Sequence, residues 1–177
     1  VTEKIGIEGA YLLKGKRYKD ERGFFEEIYS ASMGVNFVQD NISKSRPGVI
    51  RGLHTQLRFP QGKLVRCLSG CLLTVGLDIR EDSPTYLDWD AYILMDQEPH
   101  AVYWPPNILH GLAVIGDQDA IAHYKVTTPH DRLTDTGVRW DSTDIVWPTE
   151  KPIVSQRDKD LPTLKDFIDT LKRRQST

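Results

Sequence analysis

The sequence predicts a mainly β fold, an antiparallel sandwich or barrel followed by a short C-terminal helix. Two observations carry this expectation. Short β-type runs recur at close spacing, bounded by turn residues, and no helical pattern lies between them. Helical period is confined to the end, where Leu164, Phe167, Ile168 and Leu171 fall at i, i+3, i+4 and i+7.

Residues 37–39 and 48–50 are short strand runs. Residues 63–68 lead through Ser69 and Gly70 into 71–79, a pattern expected to form a β-hairpin with a small turn. Runs at 90–94, 100–104, 112–115 and 120–126 follow, separated by turn material such as Asp82-Ser83-Pro84, Gln97-Glu98-Pro99 and Gly116-Asp117. The helix is expected to start after Asp160-Leu161-Pro162-Thr163, and the tail from Lys172 onward to fray in solvent. The 177 residues fit one domain over 1–177, enough to bury roughly 70% of its unfolded surface. Within it, 1–45 hold N-terminal strands, 46–148 the barrel core and 149–177 a C-terminal segment with the helix.

Charge and composition exclude several classes. Lys and Arg total 23 against 25 Asp and Glu, a formal charge of −2, so no basic field awaits a nucleic acid. No apolar stretch has the length of a membrane span and the start lacks a signal-like core, so a cytoplasmic protein is expected. Cys67 and Cys71 have no second Cys pair or closely spaced His pair to complete a zinc site, and are expected as reduced thiols beside a turn.

The spacing from Gly48 to Gly70 carries more chemistry. Gly48, five residues, then His54-Thr55-Gln56, and later Lys63 and Gly70, resemble the first motif of the cupin superfamily. Pro105, Asn107 and His110 resemble the second, with Asn in a glycine position. The resemblance implies a cupin-like antiparallel barrel, or jelly roll. Its metal ligands are altered, however: Gln56 stands where a histidine would be and Lys63 where a carboxylate would be. An ammonium there repels a divalent cation but suits a developing negative charge on a substrate oxygen. No metal is expected.

Longer strings extend the resemblance over nearly the whole chain. DERGFFEE (20–27), FVQDN (37–41), GVIRGLHTQ (48–56), QGKLVRCLSG (61–70), DIREDSPTY (78–86), HYK (123–125) and RDKDLPTL (157–164) resemble, in order, segments of the dTDP-4-dehydrorhamnose 3,5-epimerase family. This implies an isomerase that needs no cofactor. It removes a proton alpha to the C4 ketone of a nucleoside-diphosphate 4-keto-6-deoxyhexose and returns one from the opposite face, inverting C3, C5 or both. The resemblance makes His54 the base, Asp158 its partner, Tyr124 the opposing acid and Lys63 the stabiliser of the oxyanion. Arg51 and His110 match sugar-pocket or phosphate-facing positions. Arg22, Phe25 and Glu27 match a segment that reaches the nucleotide from a neighbouring subunit, with Gln39 and Asn41 as polar partners of the base. A homodimer with exchanged strands is implied.

Three positions depart from the family pattern. His130 stands where a second tyrosine is usual, Thr74 where Asp is usual, and Asn107 where Gly is usual. They leave open how many centres are inverted. A nucleotide-sugar ketoisomerase and a non-catalytic nucleotide-sugar-binding cupin remain alternatives.

Overall fold

The computed structural model describes residues 2–175. Two antiparallel sheets face each other. The first has the order β1 (Thr2–Lys4), β2 (Tyr11–Lys14), β10 (His100–Trp104), β7 (Lys63–Ser69), β12 (Ala120–Val126) and β5 (Gln39–Ser45). The second has the order β13 (Asp135–Gly137), β6 (Ile50–Gln56), β11 (Ile108–Val114), β8 (Cys71–Asp78) and β9 (Trp89–Met95). A separate two-stranded arm, β3 (Arg17–Asp20) and β4 (Gly23–Glu26), pairs with neither sheet. Two short helices, α1 (Gln156–Lys159) and α2 (Leu164–Gln175), end the chain.

Apolar residues pack in two layers. Val65, Cys67, Leu72, Val102, Leu112 and Ala122 fill the space between the sheets, among others. Leu53, Val75, Leu77 and Leu109, on the outer face of the second sheet, pack against Phe167 and Ile168 of α2. Strands β8 and β11 are therefore covered on both faces, which is why they read as continuous apolar runs rather than alternating ones. Each of the buried Val, Leu, Ile and Phe side chains contributes about 1.5–3 kcal/mol. Helix α2 begins where the turn signal places it: Thr163 Oγ1 accepts from the Asp166 N–H at 3.2 Å.

The expected hairpin across 63–79 does not form. Strands β7 and β8 belong to different sheets, and Gly70 alone carries the chain from one to the other. One residue is too short for the two-residue loop of a tight hairpin. Gly70 has φ +79°, and a Cβ there would lie 2.6 Å from the Asp119 carbonyl oxygen. The sulfur atoms flanking this crossing are free thiols, and burial pushes Cys67 up to about 11.

Other boundaries shift. Strand β5 runs over Gln39–Ser45 rather than 37–39, and of 48–50 only Gly48 lies in a turn, Val49 bridging to Ile153 and Ile50 opening β6. Strand β11 starts at Ile108, and β13 and α1 carry no strong sequence signal. Lys172 to Gln175 form the last turn of α2 instead of a frayed tail; Ser176 and Thr177 lie outside the described residues.

The β3–β4 arm is tethered by charge. Glu26 accepts from Arg17 Nε at 2.7 Å and from buried Arg66 on β7. Arg17 also reaches the Asp96 carbonyl at 2.7 Å. Beyond this anchor the arm projects, leaving Tyr18, Phe24 and Phe25 exposed, the last by 69%.

Candidate active site

A cavity of about 480 Å³ opens between the two sheets and α1, lined by Arg51, His54, Lys63, His110, Tyr124 and Asp158 among others. Local backbone irregularity sets its second-sheet wall. Residues 51 and 54 are three apart, so strict alternation along a strand would send them to opposite faces. In register, His110 faces His54 but Leu112 faces Arg51, so β6 holds one extra residue there. This bulge lets both side chains line the cavity. It depends on Gly52, at φ +128°, where a Cβ would lie 2.7 Å from Gly111 Cα.

Asp158 reaches His54 through a separate device. The Ile50 N–H donates to the Ile153 carbonyl at 3.1 Å, and the Ile153 N–H to the Gly48 carbonyl at 2.8 Å, pinning the C-terminal segment beside β6. Ser155 then caps α1 by accepting from the Asp158 N–H at 3.1 Å. The buried Asp158 Oδ1 lies 2.7 Å from His54 Nε2, and the Gly52 N–H donates to Oδ2 at 3.5 Å. Burial alone would raise the Asp158 carboxyl. The His54 hydrogen bond and charge, the Gly52 N–H and Arg157 outweigh it and hold the group below the usual carboxylate range.

The first sheet supplies the facing wall. Burial lowers the Lys63 ammonium to about 8, with Asp135 pulling weakly the other way. Burial also holds the Tyr124 phenol above its ordinary value, opposed by Arg51 and reinforced by Asp135. Arg51 donates from Nε to Ser45 Oγ at 3.0 Å and from Nη2 to the Lys44 carbonyl at 3.2 Å. His110 is buried, and its imidazolium is strongly disfavoured by that burial and then by Lys63 and His54. A buried base–carboxylate pair facing an ammonium and a phenol is suited to moving a proton from carbon while holding negative charge on oxygen.

The remaining positions fall into two groups. Gln39 and Asn41 alternate with Ser43, a lining residue, so they share the inner face of β5; Gln39 Nε2 donates to Asn41 Oδ1 at 2.8 Å. His130 lies beyond β12 with Nε2 2.9 Å from Asp135 Oδ2, which also takes Arg157 at 2.8 Å. Arg22, Phe25 and Glu27 stay off the cavity in one chain: Arg22 pairs with Asp20 in the arm's turn, Phe25 is exposed on β4, and Glu27 follows it. Asn107 has φ +62°, a left-handed conformation Asn tolerates better than most side chains, which accounts for its filling a glycine position. Sequence reasoning missed Asp135 and Arg157. Arg157 adjoins Asp158 and could have been found there; nothing in the sequence around Asp135 marks it.

Fold and cavity together define a cupin-like barrel with titratable side chains gathered in its cavity. The chain belongs to the family described as dTDP-4-dehydrorhamnose 3,5-epimerase, whose model matches residues 4–166, and so to the isomerase-class epimerases. The enzyme of that name from Methanothermobacter thermautotrophicus is 36% identical over 174 residues, covering 92% of this chain and 94% of its own. The dTDP-6-deoxy-D-glucose-3,5-epimerase of Legionella pneumophila, solved with dTDP-4-keto-L-rhamnose, is 33% identical at TM-score 0.89, covering 93% of each chain. ChmJ, a 3'-monoepimerase of Streptomyces bikiniensis solved with dTDP-quinovose, is 26% identical at TM-score 0.84, covering 96% of this chain and 88% of its own.

Proposed function

We propose that this chain epimerises a nucleoside-diphosphate 4-keto-6-deoxyhexose of the dTDP-4-keto-6-deoxyglucose type. The observation that carries the proposal is the His54–Asp158 pair, 2.7 Å apart, in one cavity with Lys63 and Tyr124. Asp158 accepts a hydrogen bond from the Nε2–H of His54, which leaves Nδ1 bare as the base. Nδ1 removes the hydrogen alpha to the ketone, and the C–H electrons move onto O4 as an enolate. The Lys63 ammonium stabilises that oxygen by about 4 kcal/mol at 4 Å and an effective dielectric near 20. Tyr124 returns a proton to the other face; His54 then gives its proton to solvent and the phenolate takes one back, restoring both groups.

Arg51 meets the diphosphate, and the neutral His110 donates to the sugar. A second copy of the chain completes the site: its exposed arm brings Arg22 to the diphosphate, Phe25 to stack the base and Glu27 to the rim, while Gln39 and Asn41 select the pyrimidine edge. The arm's exposed aromatics, paired with neither sheet, support this assembly. His130, turned onto Asp135 where a second phenol is usual, favours inversion at one centre. Two free thiols and a near-neutral charge suit the cytoplasm.

Incubation with dTDP-4-keto-6-deoxyglucose in D₂O tests the reading. Deuterium is expected at C3, C5 or both, and the single-centre reading requires one position to dominate. Absence of exchange with this and other 4-keto nucleotide sugars refutes the proposal. A ketoisomerase would instead move the carbonyl, visible in the carbon spectrum of the product.

A further inference from the structure

Thr74, on β8, has no solvent exposure, yet its hydroxyl joins two polar rings from different sheets. Trp104 Nε1 on β10 donates to Thr74 Oγ1 at 2.9 Å across the barrel interior. Gly76 makes room for that indole, since a Cβ there would lie 2.4 Å from Trp104 Cε3. On the other side, Thr74 Oγ1 lies 3.1 Å from His110 Nε2.

This chain of contacts determines where the His110 proton sits. An indole N–H can only donate, so the Thr74 oxygen is its acceptor. If His110 Nε2 also donated, the Thr74 hydroxyl hydrogen would be left without an acceptor in a fully buried place, which is unfavourable. The satisfied arrangement has the hydroxyl donating to a bare Nε2, and the proton of the neutral ring is then on Nδ1. Nδ1 has no protein partner among the described residues, and the ring lines the cavity. The groups around it give no reason to charge it. His54 lies opposite on β6, Lys63 comes from β7 and Tyr124 from β12; Asp158 of α1 is already engaged with His54.

We infer that Thr74 is a positioning residue that locks His110 as the neutral Nδ1–H tautomer, making His110 a hydrogen-bond donor to the substrate oxygen rather than a second acid, base or cation. A neutral imidazole holds its proton firmly, so it strengthens its bond to O4 as charge develops without protonating it. Lys63 rather than His110 then supplies the charge on that oxygen, and the enolate stays an enolate until Tyr124 acts. The inference rests on the proposed epimerase chemistry for its purpose, but not for its test.

Long-range ¹H–¹⁵N spectra of the ¹⁵N-histidine-labelled full chain, without substrate, read the tautomer directly. The expected His110 pattern is a protonated Nδ1 and a bare Nε2, unchanged from pH 5.5 to 8.5, and retained in Thr74→Ser. In Thr74→Asp a carboxylate can accept from both Trp104 and His110, so the His110 proton is expected to move to Nε2 or the ring to titrate within that range. In Thr74→Val the pattern is expected to lose its single tautomer, and kcat for deuterium exchange to fall about tenfold with KM little changed. A wild-type ring protonated on Nε2, a wild-type imidazolium at neutral pH, or a Thr74→Asp spectrum identical to wild type overturns the inference. Because the spectra need no substrate, they decide the tautomer whether or not the chain exchanges deuterium.

Discussion

Replacing Asp158 with Asn tests the proposed mechanism at its centre. The substitution keeps size and removes one charge from a carboxylate that is buried and 2.7 Å from His54 Nε2. A hydrogen bond to a buried charged group contributes about 1.5–3 kcal/mol. Full attraction between an imidazolium and a carboxylate is about 4 kcal/mol at 4 Å and an effective dielectric of 20. The base gains its charge only as the reaction proceeds, so most of that energy is felt in the transition state. A loss of about 2–4 kcal/mol is a fall of about 30- to 1,000-fold in kcat. Geometry adds to electrostatics, because Asp158 accepts on both oxygens, from His54 and from the Gly52 N–H. An amide must turn its NH₂ toward one of them. Toward His54 it forces the proton onto Nδ1 and blocks the base; toward Gly52 it sets donor against donor. The assay is the initial rate of deuterium uptake from D₂O, with chemical denaturation to verify the fold. Stability should fall too. A carboxyl held below its unfolded value stabilises the fold above the unfolded pKa and loses this contribution as pH falls through the folded one. A folded Asp158→Asn protein exchanging at the wild-type rate would refute the reasoning.

Lys63 carries its charge below about pH 8 and loses it above, so wild-type exchange should decline as pH rises through that value, whereas Lys63→Met should run about 10²–10³-fold slower with no such limb. Tyr124→Phe should continue to exchange deuterium at the carbon while inverting it about 10²-fold more slowly, because only the returning proton is lost; equal inversion in mutant and wild type, followed by NMR of the product, would remove Tyr124 from the role of acid. Glu26→Gln should lower stability by about 3–5 kcal/mol in urea titration, since it leaves buried Arg66 and Arg17 without their shared carboxylate.

Much of this site was legible because all its residues but Asp158, which stands on α1, lie in strands whose motif spacing is visible in the chain. His54, Lys63, His110, Tyr124 and Asp158 all meet in the cavity. What escaped depends on contacts between distant segments. Asp135 comes to Lys63 and Tyr124 only because β13 pairs with the end of β6, and the three-residue strand has too little pattern to announce itself. Thr74 stood out as a departure, but its partner Trp104 lies on the opposite sheet, and no local rule links them. The false hairpin has the same origin: two apolar runs separated by a glycine look alike whether the chain turns back on itself or crosses between layers. Only the sheet order distinguishes the two. The arm residues are a different case. Arg22 and Phe25 are polar and aromatic groups facing solvent in one chain, and their proposed meaning lies in a second copy.

The two-sheet architecture also bears on why inversion is the natural chemistry for this cavity. Inverting a carbon requires a proton to leave one face and return to the other, so base and acid must flank a flat enolate. A base and acid on one strand would share one side of the substrate. Here His54 belongs to β6 of the second sheet and Tyr124 to β12 of the first, and both line the same space. The layers of a β-sandwich stand about 10 Å apart, room for a sugar ring between the two side chains. Lys63, on β7 beside β12, approaches from Tyr124's sheet, while Asp158 of α1 pairs with His54 of the other. Net charge near zero conceals this arrangement. The bulge at Gly52 matters for the same reason: without the extra residue, His54 and Arg51 could not both face inward, and the second sheet would offer either the proposed base or the proposed phosphate ligand, but not both.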